Sequence, residues 1–358
     1  MYPHRHLVKF ISMLILDCKY RKNFQESFIR MEEMMVWMAN IFRIIQFSGN
    51  PEHRFAARLR YLCIQIGRMD CFKKNTEMKT GLVLEGGAMR GLFTCGVLDV
   101  LLESGVSFDG MIGVSAGAAF GCNFKSWQNG RALRYNLAYA KDRRYCSLWS
   151  WLTTGNLFGA EFAYHTIADR LDIFDNEAFE RNPMEFYLVA TDVTTGQAFY
   201  KQVEHGGASL YEWLRASSSM PIVSKTVRIE GREFLDGGIA DSIPLRYFQS
   251  LGYERNVVVL TQPIGYEKKP MPMMPFIRVM LRQYSNLTDA MARRHEMYNR
   301  QLRYVAEEAI KGLTLVICPD DVLPIGRISH DRQRMWQTYE IGRHVAKKRL
   351  GEILGFLY

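Results

Sequence analysis

The sequence lacks any run of about 18 uninterrupted apolar residues, which a membrane-spanning helix needs. The most apolar N-terminal stretch, LVKFISMLILDC, is short, contains Lys9 and has no small-residue cleavage site, so we expect neither a span nor a signal peptide. Cys-x-x-Cys pairs are also absent, and the seven cysteines are scattered. This distribution argues against a disulfide framework and fits a reducing compartment, so we predict a cytoplasmic protein.

Positive charge is scarce in the middle of the chain and concentrated in its flanks. Residues 1–77 hold 13 Lys and Arg against 7 Asp and Glu, and residues 278–358 hold 14 against 9, whereas residues 78–277 hold 19 against 21. Basic flanks suit an anionic membrane surface or a nucleic acid, or they are simply solvated helix faces. Because zinc-finger spacing and base-reading basic helices are missing, we predict no nucleic-acid partner.

What the sequence does contain is an alternation of short apolar runs with amphipathic stretches from Met78 onward. The strand-like runs are TGLVLEGG, MIGVS, EFYLVATDV, GREFLDGG and RNVVVLTQ. This alternation predicts an α/β fold with a mainly parallel sheet covered by helices. We divide the chain into a helical N-terminal extension (1–77), an α/β domain (78–275) and a mostly helical C-terminal region (276–358) that packs on it.

Three glycine motifs carry the chemistry, and the first is EGGAMRG, from Glu85 to Gly91. Glycines between a strand and a helix expose backbone N–H groups at a helix N-terminus, which suits a phosphate or the oxyanion of acyl transfer. Ala88 interrupts the G-x-G-x-x-G frame, and no G-K-[ST] follows, so dinucleotide and Walker-type sites are both disfavoured.

The second motif is Gly113-Val114-Ser115-Ala116-Gly117, a G-x-S-x-G frame between an apolar strand and a small-residue helix. One interpretation is a tight turn. The other is a nucleophile elbow, a strained turn that lifts the serine hydroxyl out of the sheet and needs glycines because it leaves no room for neighbouring Cβ atoms.

The third motif, Asp236-Gly237-Gly238, is either a turn or the source of a base for Ser115. A serine nucleophile needs a base within hydrogen-bond distance. The histidines that follow Asp236 lie in polar or loop-like contexts typical of surface residues: His295, His330 and His344. A histidine triad and a direct Ser–Asp dyad are therefore both open from the residues alone.

The ordered set LVLEGGAMRG, GVSAG and FLDGG resembles the patatin-like phospholipase family, and VATDVTTGQ and GIADSIPL add further matches between about Met78 and Gln262. The resemblance implies a three-layer α/β/α fold with a central, mainly parallel sheet, and acyl-ester hydrolysis without a metal or cofactor. The C-terminal region is similar to the helical tail of a bacterial subgroup.

Carried over by position, the resemblance implies that Ser115 is the nucleophile and Asp236 its base. The amides of Gly86, Gly87 and Ala88 would form the oxyanion hole, although the family usually has glycine at the position of Ala88. The supporting residues would be Arg90, which steadies the loop or contacts a lipid phosphate, and Gly91, Gly113, Gly117, Gly237 and Gly238.

The implied substrate is a lipid or phospholipid, with peripheral contact at the inner membrane surface. The stretch RRYCSLWSWLTTGNLFG offers an apolar cluster for the acyl chain or the lipid interface, or a patch of core: Leu148, Trp149, Trp151, Leu152, Leu157 and Phe158. Two alternatives remain, an esterase or thioesterase for small soluble substrates and a non-enzymatic module that binds an anion or nucleotide.

Overall fold

A computed structural model describes residues 78–358, so the predicted extension of residues 1–77 lies outside the described part of the chain. Within the described part, eight strands form one sheet in the order β5-β6-β3-β2-β1-β7-β8, with β4 paired to β3. The strands are β1 Thr80–Leu84, β2 Gly110–Val114, β3 Glu185–Asp192, β4 Ala198–Gln202, β5 Val227–Ile229, β6 Arg232–Asp236, β7 Arg255–Val259 and β8 Thr314–Ile317.

The centre of the sheet is parallel and its β5–β6 end is antiparallel. Strands β3, β2, β1, β7 and β8 pair in parallel, whereas β4 and β6 pair antiparallel to β3, and β5 pairs antiparallel to β6. The parallel strands β1 and β2 are almost entirely buried, as expected for strands covered on both faces. The predicted mainly parallel sheet is therefore confirmed.

Helices cover both faces of this sheet. The α-helices are α1 Leu92–Glu103, α2 Ala116–Lys125, α3 Arg131–Tyr139, α4 Leu148–Thr154, α5 Asn176–Arg181, α6 Ala208–Ser218, α7 Leu245–Ser250, α8 Met274–Met280, α9 Ser285–Ile310 and α10 Arg332–Leu357. A π-helix spans Glu161–Leu171, and 3₁₀ turns span Ala88–Gly91 and Gly237–Ile239. No helix in residues 78–358 is long and apolar enough to span a bilayer.

Alternating side chains of the central strands enter two separate cores. Leu82 and Leu84 of β1 join the cluster that contains α1, α2, α6 and α10. Val83, between them, joins the cluster formed with α7 and α9. Successive strand residues point to opposite faces, so two cores on one sheet give the three-layer α/β/α arrangement that the sequence predicts.

Helix α10 packs closely along α1. A Cβ atom on Gly96 would lie 2.1 Å from the Tyr339 carbonyl oxygen, and one on Gly342 would lie 2.0 Å from the Phe93 carbonyl oxygen, so glycine is required at both contacts. The Tyr339 hydroxyl also donates to Asp99 across this interface at 2.8 Å. Residues near the C-terminus thus pack against the α/β layers, while the domain boundary at residue 275 stays a prediction.

Candidate active site

Ser115 occupies the turn between β2 and α2 in a strained backbone conformation, with φ 53° and ψ −123°. Such a conformation costs on the order of 1–3 kcal/mol and persists only where its surroundings enforce it. A Cβ on Gly113 would lie 2.6 Å from Ala118 Cα, and one on Gly117 would lie 2.5 Å from the Leu84 carbonyl oxygen. The two flanking glycines therefore permit the turn by removing atoms that would clash with backbone.

The register of β3 explains how Asp236 reaches this serine. Residues 190 and 191 pair with both β4 and β6, so those strands lie on opposite edges of β3. Strand β2 pairs with residues 185–189 of β3, on the edge opposite β4. Strand β6 therefore pairs with the same edge of β3 as β2, directly after the point where β2 ends. The carboxyl ends of β2 and β6 thus meet, and Ser115 Oγ donates to Asp236 Oδ2 at 2.7 Å.

Both side chains are nearly buried, with Ser115 8% and Asp236 7% exposed. The second carboxylate oxygen, Asp236 Oδ1, accepts from the Gly238 amide at 2.8 Å. The Asp236 amide donates to the Ser219 carbonyl oxygen at 2.7 Å. A Cβ on Gly237 would lie 2.1 Å from the Val189 carbonyl oxygen, so this aspartate is fixed by backbone contacts on both sides.

Ser217 fixes the backbone of the turn, and it lies outside the three glycine motifs. Its hydroxyl accepts from the Ser115 amide at 2.9 Å and donates to the Val189 carbonyl oxygen at 2.6 Å. The Ser217 hydroxyl therefore links β2, α6 and β3 beneath Ser115. Its place in the run ASSS gives no spacing signal by which it could have been found.

The glycine loop lies directly against Ser115. A Cβ on Gly86 would lie 2.9 Å from Ser115 Cβ, and Ala88 lines the same cavity as Ser115. Within residues 78–358, the amides of Gly86, Gly87 and Ala88 donate to no carbonyl or side chain. Ala88 adopts φ 49°, so alanine takes the left-handed conformation that glycine would adopt without strain.

Glu85 holds this loop in place and is a second residue that the sequence did not identify. The carboxylate is buried and accepts from the Tyr298 hydroxyl at 2.7 Å and from the Thr261 amide at 2.6 Å. Burial is the main cause that raises the pKa of Tyr298, and the charge of Glu85 and the hydrogen bond to it raise this pKa further. These hydrogen bonds connect the glycine loop, the segment after β7 and helix α9 next to Ser115.

The histidines do not enter the site. His295 Nδ1 contacts the Ala292 carbonyl oxygen at 3.0 Å, His330 Nδ1 contacts the Ala140 carbonyl oxygen at 2.7 Å, and His344 is exposed. In the described residues, none of the three bonds to Ser115 or Asp236. The geometry therefore brings together a serine and an aspartate without an imidazole between them.

A cavity of about 110 Å³ extends from Ser115 along α2. Its lining is mostly apolar or aromatic and includes Ala119, Phe120, Cys122, Tyr164 and Phe174. Cys122 lies seven residues after Ser115, which corresponds to about 10 Å along the helix axis. Burial raises the pKa of the Cys122 thiol to about 12, so this cysteine is neutral and behaves as a small apolar group.

The apolar cluster predicted around residue 150 divides into two parts. Phe158 lines the cavity and Leu157 is buried beside it. On α4, Trp149 is 53% and Leu152 76% exposed, and Trp151 is also exposed. Of this cluster, Phe158 is the residue that lines the cavity, whereas Trp149, Trp151 and Leu152 of α4 face solvent.

The supporting residues are likewise placed around the loop. A Cβ on Gly91 would lie 2.8 Å from the Phe120 ring, and one on Gly238 would lie 3.0 Å from the Arg294 guanidinium. Arg90 is half-buried, and its Nε has no hydrogen-bond partner. Neither Arg90 nor Arg294 touches the Ser115 hydroxyl.

Comparison with known proteins finds two family models and several relatives that are similar to parts of this chain. Residues 82–248 match the family model described as patatin-like phospholipase, and residues 284–358 match a domain of unknown function. The chain is 31% identical over 202 residues to the uncharacterised protein YjjU of Escherichia coli (strain K12), covering 52% of each chain.

Similarity extends to two fungal lysophospholipases and one solved structure. The chain is 26% identical to lysophospholipase NTE1 of Phaeosphaeria nodorum and 27% identical to that of Aspergillus niger, covering 48% of this chain and 11% of each relative. VipD from Legionella pneumophila aligns with a TM-score of 0.36 and 11% identity over 79% of this chain and 73% of its own. The chain spans about half the length of the bacterial relative. The match to the patatin-like phospholipase family covers residues 82–248, the part of the chain that contains Ser115 and Asp236.

Proposed function

We propose that this protein is a serine acyl hydrolase that cleaves fatty-acyl esters of phospholipids or other lipids. One observation carries the proposal: Ser115 Oγ donates to Asp236 Oδ2 at 2.7 Å, next to a loop whose amides have no acceptor in the described residues. A hydroxyl, a proton acceptor and unused N–H donors at one point are the parts that acyl transfer requires.

In the proposed reaction, Ser115 Oγ attacks the ester carbonyl carbon while Asp236 takes its proton. The carbonyl oxygen becomes an oxyanion, which the amides of Gly86, Gly87 and Ala88 would stabilise. Collapse expels the alcohol, which takes the proton back, and leaves the acyl group on Ser115. Water then attacks this ester, gives its proton to Asp236, and releases the fatty acid while Ser115 regains its hydrogen.

Main-chain geometry supports aspartate in the role of base. The Gly238 amide occupies Oδ1, which leaves Oδ2 directed at the hydroxyl. The N-terminus of α2 begins after Ser115, and its partial positive charge favours the developing oxyanion. Removing a single oxyanion donor from such a site typically costs about 10²–10³ in rate.

The apolar cavity supports a fatty-acyl substrate. Two of its polar side chains are bonded to neighbouring side chains, since the Tyr145 hydroxyl donates to Asn136 at 2.9 Å and Arg131 donates to Asn123 at 2.8 Å. The Ser218 hydroxyl, which also lines the cavity, is buried without a hydrogen-bond partner among the described residues. An alkyl chain placed along α2 would therefore meet mostly carbon and sulfur atoms. The fungal relatives named lysophospholipase agree with this substrate class.

We expect the size of residue 122 to set acyl-chain preference. Cys122→Leu adds volume at the far end of the cavity and should lower the preference for dodecanoyl over butyryl p-nitrophenyl ester about tenfold, because each buried CH₂ contributes about 0.8 kcal/mol. Cys122→Ala enlarges the same place and should shift preference toward longer chains. Ratios of kcat/KM measure both changes, and shifts of the same sign would contradict this placement of the chain.

We also propose that α4 contacts the lipid surface. Trp149 and Leu152 are exposed on this helix, and Arg143 and Arg144 precede it. Tryptophan favours the headgroup boundary, and cations favour anionic lipid. Flotation with vesicles containing phosphatidylglycerol should recover the protein, and a Trp149→Ala/Leu152→Ala double variant should be recovered several-fold less. Equal recovery of the wild type and the double variant would show that α4 does not contact the lipid.

The proposed function is tested by acyl release from three substrates. Lysophosphatidylcholine, dioleoyl phosphatidylglycerol vesicles and p-nitrophenyl butyrate are incubated in ¹⁸O-water, and free fatty acid is measured by mass spectrometry. We expect release of fatty acid with one ¹⁸O from at least one lipid. Hydrolysis of the butyrate ester alone would favour the small-ester alternative, and no release from any substrate would overturn the proposed function.

A further inference from the structure

Four basic side chains from distant parts of the chain converge beside the glycine loop. Arg90 belongs to the loop, Lys268 follows β7, Arg294 lies on α9 and Arg327 precedes α10. Arg294 Nε donates to the Gly238 carbonyl oxygen at 2.5 Å, and the Arg327 carbonyl oxygen accepts from the Met89 amide at 3.2 Å.

The remaining two cations approach the same point from the loop and from β7. Lys268 Nζ lies 4.0 Å from the centroid of the Tyr298 ring, whose hydroxyl bonds to Glu85. Arg90 is close enough to Tyr298 and Lys268 to influence the pKa of both. Arg90, Lys268 and Arg294 thus lie near the buried carboxylate of Glu85, and the exposed Arg327 lies near Lys268 and Arg294.

The carboxylates of Glu85 and Asp236 oppose these positive charges without pairing directly with any of them. In the described residues, none of the four forms an ion pair with a carboxylate within 4.0 Å. Glu85 already accepts from Tyr298 and Thr261. Arg90 Nε is buried without a hydrogen-bond partner, although most buried polar atoms in proteins have one.

Electrostatics agrees with this geometry. Burial, followed by the neighbouring charges of Arg294, Arg327 and Arg90, lowers the pKa of Lys268 to about 7 against the opposing charge of Glu85. Burial also lowers the pKa of Arg294. Like charges held together at partial burial are unfavourable unless an anion compensates them.

We propose that Arg90, Lys268, Arg294 and Arg327 form an anion subsite, named here the basic subsite, that binds a phosphate group. Guanidinium groups present paired N–H donors that match the oxygens of phosphate, and a phosphate can accept from several of them at once. The chemistry is shared by the phosphate of a lipid headgroup and by a free phosphate ion.

The position of the basic subsite connects it to the reaction. Arg294 bonds to the residue whose amide holds Asp236, and Arg90 follows the loop that contacts Ser115. As a lipid headgroup site, the basic subsite rests on the proposed function and would select acyl esters that carry a phosphate. Arg294 and Arg327 lie in residues 284–358, so this C-terminal region would contribute to substrate choice.

A kinetic experiment tests the headgroup role. We compare kcat/KM for 1-oleoylglycerol 3-phosphate with that for 1-oleoylglycerol in wild type, Arg327→Gln and Lys268→Gln. The control is Arg303→Gln, which removes the same charge from an exposed position on α9. The phosphate-to-neutral ratio should fall at least tenfold in the two subsite variants and stay within twofold of wild type in the control.

A binding experiment keeps the subsite testable if no ester is hydrolysed. Calorimetry with inorganic phosphate and with glycerol 3-phosphate is performed on the Ser115→Ala chain, with and without Arg327→Gln. Weaker binding in the double variant, together with a lowered kinetic ratio, supports a headgroup site. Weaker binding with an unchanged ratio supports a site for free phosphate. Equal binding in both chains overturns the basic subsite, whatever the hydrolysis assays show.

Discussion

Replacing Ser115 by alanine is expected to lower kcat for acyl-ester hydrolysis by at least about 10⁴-fold, because the variant lacks the atom that would carry the acyl group. The measurement is fatty-acid release from the best lipid substrate at saturating concentration. Thermal unfolding should change little, since alanine preserves the backbone and the amide still donates to Ser217.

The matched control for this variant is Ser126→Ala. Ser126 is also a buried serine that ends the same helix, and its hydroxyl bonds to Asn123 and Gln128 rather than to the site. We expect kcat within about twofold of wild type once the folded fraction is equal. A Ser115→Ala chain that retains a tenth or more of wild-type turnover would rule out Ser115 as the nucleophile.

Asp236→Asn should give the second large loss, about 10³–10⁴-fold in kcat. Asparagine has nearly the same shape, so Oδ1 can still accept from Gly238, but the amide cannot take a proton from the serine. At the position of Oδ2, the asparagine presents to Ser115 either its carbonyl oxygen, a weak acceptor, or its NH₂ group, a donor. Single-turnover acylation with a chromogenic ester measures the step at which the proton must move.

Asp241→Asn is the control for Asp236→Asn, because it removes a buried carboxylate that would not act as the base. Asp241 is as buried as Asp236 and accepts from Tyr200 at 2.7 Å and from Gln301. Burial raises its pKa, so its charge is already disfavoured and the amide is a mild replacement. We expect lower stability and near-normal kcat. A comparable loss of kcat in both variants would point to structural damage rather than to a base at Asp236.

Much of the fold could be predicted from local pattern. Buried parallel strands are continuous apolar runs, and each run named in the sequence corresponds to a strand: β1, β2, β3, β6 and β7. Strand β4 was not predicted, because AFYKQ is half-buried at an edge of β3 and alternates weakly. Strand β5, with three residues, is too short to give a periodic signal.

Around the candidate site, too, residues within short motifs could be predicted, whereas residues far apart in the sequence could not. Ser115, Asp236 and the glycine loop belong to motifs whose small residues are required within a few positions of one another. Glu85 and Tyr298 are 213 residues apart, and Ser115 and Ser217 are 102 apart, so only the folded chain relates them. Arg294 lies in a polar helix whose sequence is typical of a solvated surface.

The role of each exposed aromatic residue depends on packing that sequence cannot supply. The run SLWSWLTTGNLF fits a core patch, an acyl site or a lipid interface equally well. The Ser147 hydroxyl accepts from the Ser150 amide and starts α4, which presents Trp149 to solvent, while Phe158 lines the cavity. Trp149 in solvent and Phe158 at the cavity are therefore only nine residues apart in the sequence.

The most direct test of the shared proton is the reaction of Ser115 with a fluorophosphonate. In this reaction the serine oxygen displaces fluoride, and peptide mass spectrometry identifies the modified residue. We predict one phosphonyl group per chain on Ser115, attached at least about 100-fold more slowly in Asp236→Asn. Modification of another residue, or equal rates in wild type and Asp236→Asn, would contradict a serine activated by this aspartate.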